Sequence, residues 1–356
     1  MQRSLHLVVA SLVAAAGCTE GTAPSAVGID ASARDVAVPF DGADATVDAG
    51  AIHDAVVVDV PDVMHVTPRA GEDGGCNGLR VSCDRTYDRV AIAATHNAFS
   101  YAAGGPVRYV APNQDLPIPD QLAAGVRGLG LRPCPYFGSD PGERGRVYVT
   151  HDSALRGILG TEALDGILLQ IKAFLDANPR EVVTLYLESS VTDAEIAAVF
   201  DAVGLTPRLY APTTAGTWST LQAMIEAGTR LVVFNDSAGA GRPPWMLYLW
   251  DHIVDTDYNV TDASQFSCAF YRGHAANPIY YLNEFVYQDL GSGVVVPSET
   301  NARIANARVF ITDRARRCRT ETGRSASVVY VDWFAQGDVV GAVDELNRDG
   351  APDAGP

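Results

Sequence analysis

The side chains able to do chemistry in this sequence recur in one context, the point where an apolar run breaks off. AIAATHNAFS breaks into His96 and Asn97, and VYVTHDSAL into His151 and Asp152. GLGLRPCPY breaks into Arg132, TLYLESS into Glu188, VVFNDS into Asn235 and Asp236, and VVYVDWF into Asp332. Histidines exchange protons near neutrality, a guanidinium holds an anion through its planar fork, and carboxylates orient or balance both. Each residue also has a structural use: Arg132 and Asp332 as a buried pair, Glu188 as a helix cap, Asp152 and Asp236 as the first residues of loops. If the runs are strands of one barrel, all six endings lie on one rim, where barrel active sites are built.

The elements that would position them alternate in type. Strand-like runs are read at Val90–Thr95, Val126–Leu131, Arg146–Thr150, Val182–Leu187, Leu231–Phe234, Ile279–Leu282 and Ser327–Val331. Between them, TEALDGILLQIKAFLDANP puts Leu164, Ile167, Leu168, Ile171, Phe174 and Leu175 on one helical face and stops at Asn178-Pro179. TDAEIAAVFDAVG opens with Thr192 and Glu195 at capping-box spacing and closes at Gly204. The segments from about Ala238 to Pro278 and from Tyr287 to Ile311 fit neither pattern well. The reading is a single α/β domain over residues 76–347, an irregular TIM-type (β/α)8 barrel, a fold of about 250 residues.

The ends of the chain differ from this middle. Residues 1–18, MQRSLHLVVASLVAAAGC, carry Arg3, an apolar run and small residues before Cys18, which reads as a secretory signal too short for a permanent membrane span. AAAGC resembles a bacterial lipobox with Ala15 at its usual Leu position, which makes Cys18 the expected lipidation site and simple secretion the alternative. Residues 19–75 hold eleven acidic side chains against Arg34 and Arg69, with Phe40 as the sole aromatic. That composition reads as a disordered acidic tether, and residues 348–356 as a disordered tail.

The net charge of −17 offers no basic stripe for nucleic acid. The single lysine, Lys172, lies in an amphipathic helix, which excludes a P-loop lysine and a Schiff-base lysine, and HExxH, CxxC and GxSxG are absent. His252 and His274 read as structural or surface residues. Five cysteines besides Cys18 suit an oxidising compartment. Cys76 with Cys83, and Cys268 with Cys318, are the natural pairs, leaving Cys134 as a packed residue, although spacing alone does not fix the connectivity.

ATHNAFS, QLAAGVRGLGLR, VYVTHDSAL and EVVTLYLES together resemble the catalytic X region of phosphatidylinositol-specific phospholipase C and its wider phosphodiesterase superfamily. The likeness spans about Tyr87 to Asn347 and is strongest from Tyr87 to Ser190. It implies a TIM-type barrel with His96 and His151 as the catalytic pair. In that chemistry His96 takes the proton of the inositol 2-hydroxyl, which attacks phosphorus, and His151 protonates the departing glycerol oxygen. Arg132 holds the nonbridging oxygens, and Asp332, beside the first strand once the barrel closes, orients His96. Asn97, Glu188 and Asp236 are expected to contact substrate.

Calcium-dependent relatives resemble SHN, LELD and SLEN at three successive strand ends. Asn97 and Glu188 match, but Leu129-Gly130-Leu131-Arg132 lacks both carboxylates of the second motif, so no metal cofactor is expected and calcium is the alternative. Metal-free bacterial enzymes carry an arginine where Arg132 stands, with Asp after the first histidine and an acidic residue at the position of Gly130. A metal-dependent glycerophosphodiesterase would need further carboxylates beside His96. The expected function is phosphodiester cleavage of phosphatidylinositol-type lipids to diacylglycerol and a cyclic inositol phosphate. The alternative is a non-catalytic, surface-tethered barrel binding phosphoinositols or glycans. A monomer held at a membrane surface in the cell envelope, or secreted, completes the expectation.

Overall fold

The structure, a computed structural model, describes residues 67–350 apart from 108, 152–158, 213–216, 238, 240, 241, 292 and 293. The signal sequence, Cys18, most of the acidic tether, Asp152 and the last six residues lie outside the described residues. Disulfides join Cys76 to Cys83 and Cys268 to Cys318, while Cys134 is buried outside both.

The chain order of strands is β1 (Ile92–Thr95), β2 (Gly128–Leu131), β3 (Pro133–Pro135), β4 (Val147–Val149), β5 (Glu162–Ala163), β6 (Val183–Leu187), β7 (Leu231–Asn235), β8 (Met246–Tyr248), β9 (Ile253–Asp255), β10 (Ile279–Asn283), β11 (Tyr287–Asp289), β12 (Val295–Pro297) and β13 (Val328–Val331). The helices are α1 (Ile118–Ala124), α2 (Leu164–Ala177), α3 (Asp193–Ala202), α4 (Leu221–Ala227), α5 (Glu299–Ala305), α6 (Arg308–Thr322) and α7 (Val339–Arg348). Eight strands form one parallel sheet in the order β8-β7-β6-β2-β1-β13-β10-β9. The sheet curls into an incomplete TIM-type barrel, with no ladder between β8 and β9 among the described residues.

Strand alternation divides the core in two. Outward residues such as Leu129, Leu185, Val233 and Val331 pack with the buried face of α2, which contributes Leu164, Ile167, Leu168, Ile171 and Leu175. Burying each of these side chains is worth roughly 1.5–3 kcal/mol, so Leu168→Ala would cost about 2–5 kcal/mol. Inward residues include Ile92, Ala94, Tyr186, Phe234, Tyr281, Val328 and Tyr330. The capping box of Thr192 and Glu195 is formed at the start of α3.

Two sequence expectations change. Arg146–Thr150 does not supply a barrel strand, because β4 pairs antiparallel with β3 and β5 in a separate three-stranded sheet and β2 pairs directly with β6. An isolated alternating run has the same pattern in either setting, and the Pro133–Cys134–Pro135 partner turned this one aside. The stretch that fits no pattern holds β8 and β9, three residues each and joined by the short 3-10 turn Leu249–Asp251, too brief to register as strands. Ordered structure also begins ahead of Cys76: Arg69 pairs with Asp344, and its backbone N–H donates to the Ala123 carbonyl at 2.8 Å.

Candidate active site

The inward face of the barrel delivers the chemistry. Directly beneath the mouth, Tyr186, Phe234, Tyr281 and Tyr330 form an aromatic layer, with ring centroids 5.7 Å apart for Tyr186 and Phe234, 5.3 Å for Tyr186 and Tyr281, and 4.8 Å for Tyr281 and Tyr330. Two residues further along the same strands come Glu188, Asp236, Asn283 and Asp332, so alternation lifts each of these onto the rim. On β1 and β2 the residue under the rim is Ala94 or Gly130, and His96 and Arg132 follow by the same step.

The register Thr95↔Val331 sets His96 beside Asp332, with Nδ1 to Oδ1 at 3.0 Å and both side chains buried. Phe285 stacks on the imidazole at 4.6 Å and 11°, while Tyr330 meets it edge-on at 5.5 Å. Arg132 pairs with Glu188 rather than with Asp332, at 2.8 Å. His151 arrives from the small antiparallel sheet, where Thr150 N–H donates to the Arg132 carbonyl at 3.2 Å. Asp236 accepts from the Ser189 N–H at 3.3 Å. Asn97 lies behind the mouth, fully covered, and its amide nitrogen donates to Asn113 Oδ1 at 3.1 Å.

The family model described as PI-PLC X 1 matches residues 82–347. The chain belongs to the PI-PLC X-domain family. A PI-PLC X domain-containing protein 1 of Arthroderma benhamiae is 28% identical over 285 residues, covering 76% of this chain and 89% of the relative. A PI-PLC X domain-containing protein of Arabidopsis thaliana is 30% identical over 195 residues, covering 51% of this chain and 44% of that protein. Among solved structures, the phosphatidylinositol-specific phospholipase C of Listeria monocytogenes superposes with a TM-score of 0.50 at 16% identity, over 75% of this chain and 95% of the other. A Staphylococcus aureus phosphatidylinositol-specific phospholipase C gives 0.50 at 15%, over 74% and 94%. At these identities the structural likeness establishes the barrel.

The electrostatics of this X domain are uneven around the mouth. Burial first, then the charges of Arg132 and His96, hold the His151 imidazole well below the usual histidine range, so the free protein keeps it neutral. The tip of Glu188 is 45% exposed in the opening although protein walls surround it. Desolvation works to raise its carboxyl, and Arg132, His96 and Arg272 outweigh it, leaving the group below its ordinary value. Asp236 goes the other way: burial and the neighbouring Glu188 charge push it up to about 6.

Calcium does not fit these residues. A Cβ on Gly130 would stand 1.8 Å from the Tyr330 hydroxyl, so the space for a carboxylate there is filled by a phenol. Asn97 is buried behind the mouth, and Glu188 is engaged by Arg132, whose positive charge repels a cation. Among the described residues, no group of three His, Cys, Asp or Glu could hold a metal ion.

The site also contains residues that sequence reasoning missed. Asp255 ends β9 and accepts from Arg272 through Nε at 3.0 Å and Nη2 at 2.6 Å, and that guanidinium lies over the rings of Trp250 and Tyr258 at 4.7 and 4.4 Å. The signal was present in the apolar-to-acid break Ile253-Val254-Asp255. Asn113 and Gln114 had no such signal, because polar residues in a loop are ordinary. His252 is half-buried against Trp218 and Phe234, and His274 is exposed.

Proposed function

We propose that the protein cleaves phosphatidylinositol-type phosphodiesters through His96 and His151, with Arg132 as the fixed positive charge. The observation that carries this reading is the His96–Asp332 pair. An ionised carboxylate only accepts hydrogen bonds, so the proton of the pair lies on Nδ1 and Nε2 is left as a base. His96 Nε2 takes the proton of the inositol 2-hydroxyl as that oxygen bonds to phosphorus. The bond from phosphorus to the glycerol oxygen breaks, and His151 gives that oxygen its proton, releasing diacylglycerol and a cyclic inositol phosphate. Water then opens the cyclic ester with the two histidines in exchanged roles, which restores both to their starting states.

His151 is neutral in the free protein, so its acid role requires a proton taken up with substrate. The phosphodiester anion supplies the reason: burial and then the charges of Arg132 and His96 hold His151 deprotonated, and an anion seated at Arg132 offsets both. Glu188 must yield its place on Arg132 to the phosphate, and its exposure leaves it free to swing into water. Neither exchange calls on a metal ion. Export with a lipid on Cys18 would bring the barrel to a membrane surface that carries such substrates.

The test is to incubate the purified domain with phosphatidylinositol vesicles and follow phosphorus NMR for cyclic inositol phosphate. His96→Ala and His151→Ala should each lower the rate by about 10² to 10⁴ while remaining folded. Inositol phosphate binding without turnover in the wild-type protein would replace this reading with the non-catalytic one.

A further inference from the structure

Behind the His96–Asp332 pair, the loop between β1 and α1 places Asn113 with no exposure to solvent. Its Nδ2 donates to Asp332 Oδ1 at 3.1 Å and stands 3.4 Å from His96 Nδ1, while its Oδ1 accepts from Asn97 Nδ2 at 3.1 Å. The carboxylate fixes which end of the amide is which. An ionised carboxylate only accepts, so the Asn113 nitrogen faces Asp332 and its oxygen is left for Asn97. We infer that Asn113 is a positioning residue, which aims the Asp332 carboxylate at His96 Nδ1 and so keeps the His96 Nε2 lone pair turned to the mouth.

The surroundings show why such a brace is needed. The residues just after the pair, Asn97 and Trp333, have φ of 45° and 52°. The left-handed region suits an asparagine but disfavours a bulky tryptophan, so the end of β13 is held against its preference. Trp333 N–H donates to the Asn113 carbonyl at 2.7 Å, and Asn113 N–H donates to Ser100 O at 2.9 Å. Gln114 continues the seam, with Nε2 donating to the carbonyls of His96 at 2.6 Å and Val331 at 3.0 Å. Asp115 accepts from Ala335 N–H at 3.0 Å. One short stretch thus ties the ends of β1 and β13 together, and only Asn113 reaches the reacting pair.

In the wrong tautomer, with the proton on Nε2, Asp332 loses the imidazole donor and keeps only Asn113. The bond Asn113 makes to the carboxylate tips the choice toward the productive form. Among the described residues, the charged and titratable groups around His96 are Asp332 after β13, Glu188 after β6, Arg132 after β2, His151 after β4 and Tyr287 of β11, and Tyr330 adds its ring edge.

The inference rests on the proposed acid-base chemistry, but its test need not. Nitrogen NMR of the full domain, with His96 assigned through its loss in His96→Ala, reads the tautomer without substrate. Wild type should show Nδ1 protonated, and Asn113→Ala should show a mixture of tautomers. With phosphatidylinositol vesicles the same variant should lose about 10- to 100-fold in kcat with KM within about twofold, the range seen when partners behind a functional histidine are removed. Asn113→Ser keeps a small polar side chain too short to reach Asp332, so it should show the same mixture of tautomers, and this variant decides the matter if Asn113→Ala fails to fold. Unchanged ring nitrogens in a folded Asn113→Ala or Asn113→Ser would overturn the inference whatever happens to turnover. Inactivity of every form, with the nitrogen shifts moving as stated, would discard the substrate and keep the role of Asn113.

Discussion

Replacing Asp332 by Asn separates charge from shape at the centre of the site. The substitution is isosteric, and the position is closed in by Asn113, by the β13 backbone and by Asn306, whose Nδ2 donates to the Asp332 carbonyl at 2.8 Å. The domain should therefore fold with little change in melting temperature. Asn113 presents a donor to this spot, so the new amide turns its oxygen inward, and His96 keeps its Nδ1 proton. What is lost is the negative charge that, in the proposed mechanism, faces the imidazolium formed as the 2-hydroxyl is deprotonated. A charge pair 3.0 Å apart, at an effective dielectric constant of about 20, is worth roughly 5 kcal/mol, and the amide dipole returns part of it. The expected loss is about 10³- to 10⁴-fold in kcat, measured by release of cyclic inositol phosphate from vesicles at saturating substrate. A folded Asp332→Asn within tenfold of wild type would refute the claim that His96 works through this carboxylate.

Asp236 is pushed up to about 6, so the folded state holds its proton more tightly than the unfolded chain does, and stability falls as pH rises from about 4 to about 6. Asp236→Asn should remove that slope, raise stability at pH 7 by about 1–2 kcal/mol after allowance for solvent screening, and lower turnover; melting curves across pH are the check. Arg132→Lys should lose most activity despite keeping its charge, because a point charge replaces the planar fork, and wild-type turnover should persist in excess chelator with no gain from added calcium. Loss of activity in chelator with recovery on calcium would show that Asn97 and Glu188 nucleate a metal site after all. The disulfide Cys268–Cys318 spans 50 residues and Cys76–Cys83 spans 7, so replacing each pair by Ser should cost about 4 and about 2.5 kcal/mol, read by denaturant unfolding. Mass spectrometry of the mature chain should find a lipid on Cys18, and an unmodified N-terminus elsewhere would mean simple secretion.

The site was legible where a long apolar run stops at a charged residue. His96, Arg132, Glu188 and Asp332 stand out because period-two alternation forces residues at matching strand ends onto one rim. Helix α2 was equally plain, since its stripe fills three turns and faces one wall of the core. His151 was visible as a residue but not in its setting, because Val147-Tyr148-Val149 reads the same in a barrel strand and in an antiparallel flap. Strands β8 and β9 are too short for any period to emerge. Asn113 escaped entirely, because its importance comes from a loop crossing behind two strand ends, one 17 and the other 219 residues from it, that lie 236 residues apart in the sequence.

The Tyr330 hydroxyl in the space over Gly130 also constrains how such a site can change by mutation. A carboxylate at 130 collides with the phenol, while truncating Tyr330 alone opens a hole in the aromatic layer and removes the ring edge beside His96. Either single step is a loss, so the two positions form an exclusive pair in which the gain of one residue depends on the prior departure of the other. A barrel of this kind therefore gains an acid at 130 only by a change two substitutions wide, whether or not Arg132 stays in place. Related sequences should carry Gly with Tyr or an acid with a smaller residue, and the mixed combinations should be rare.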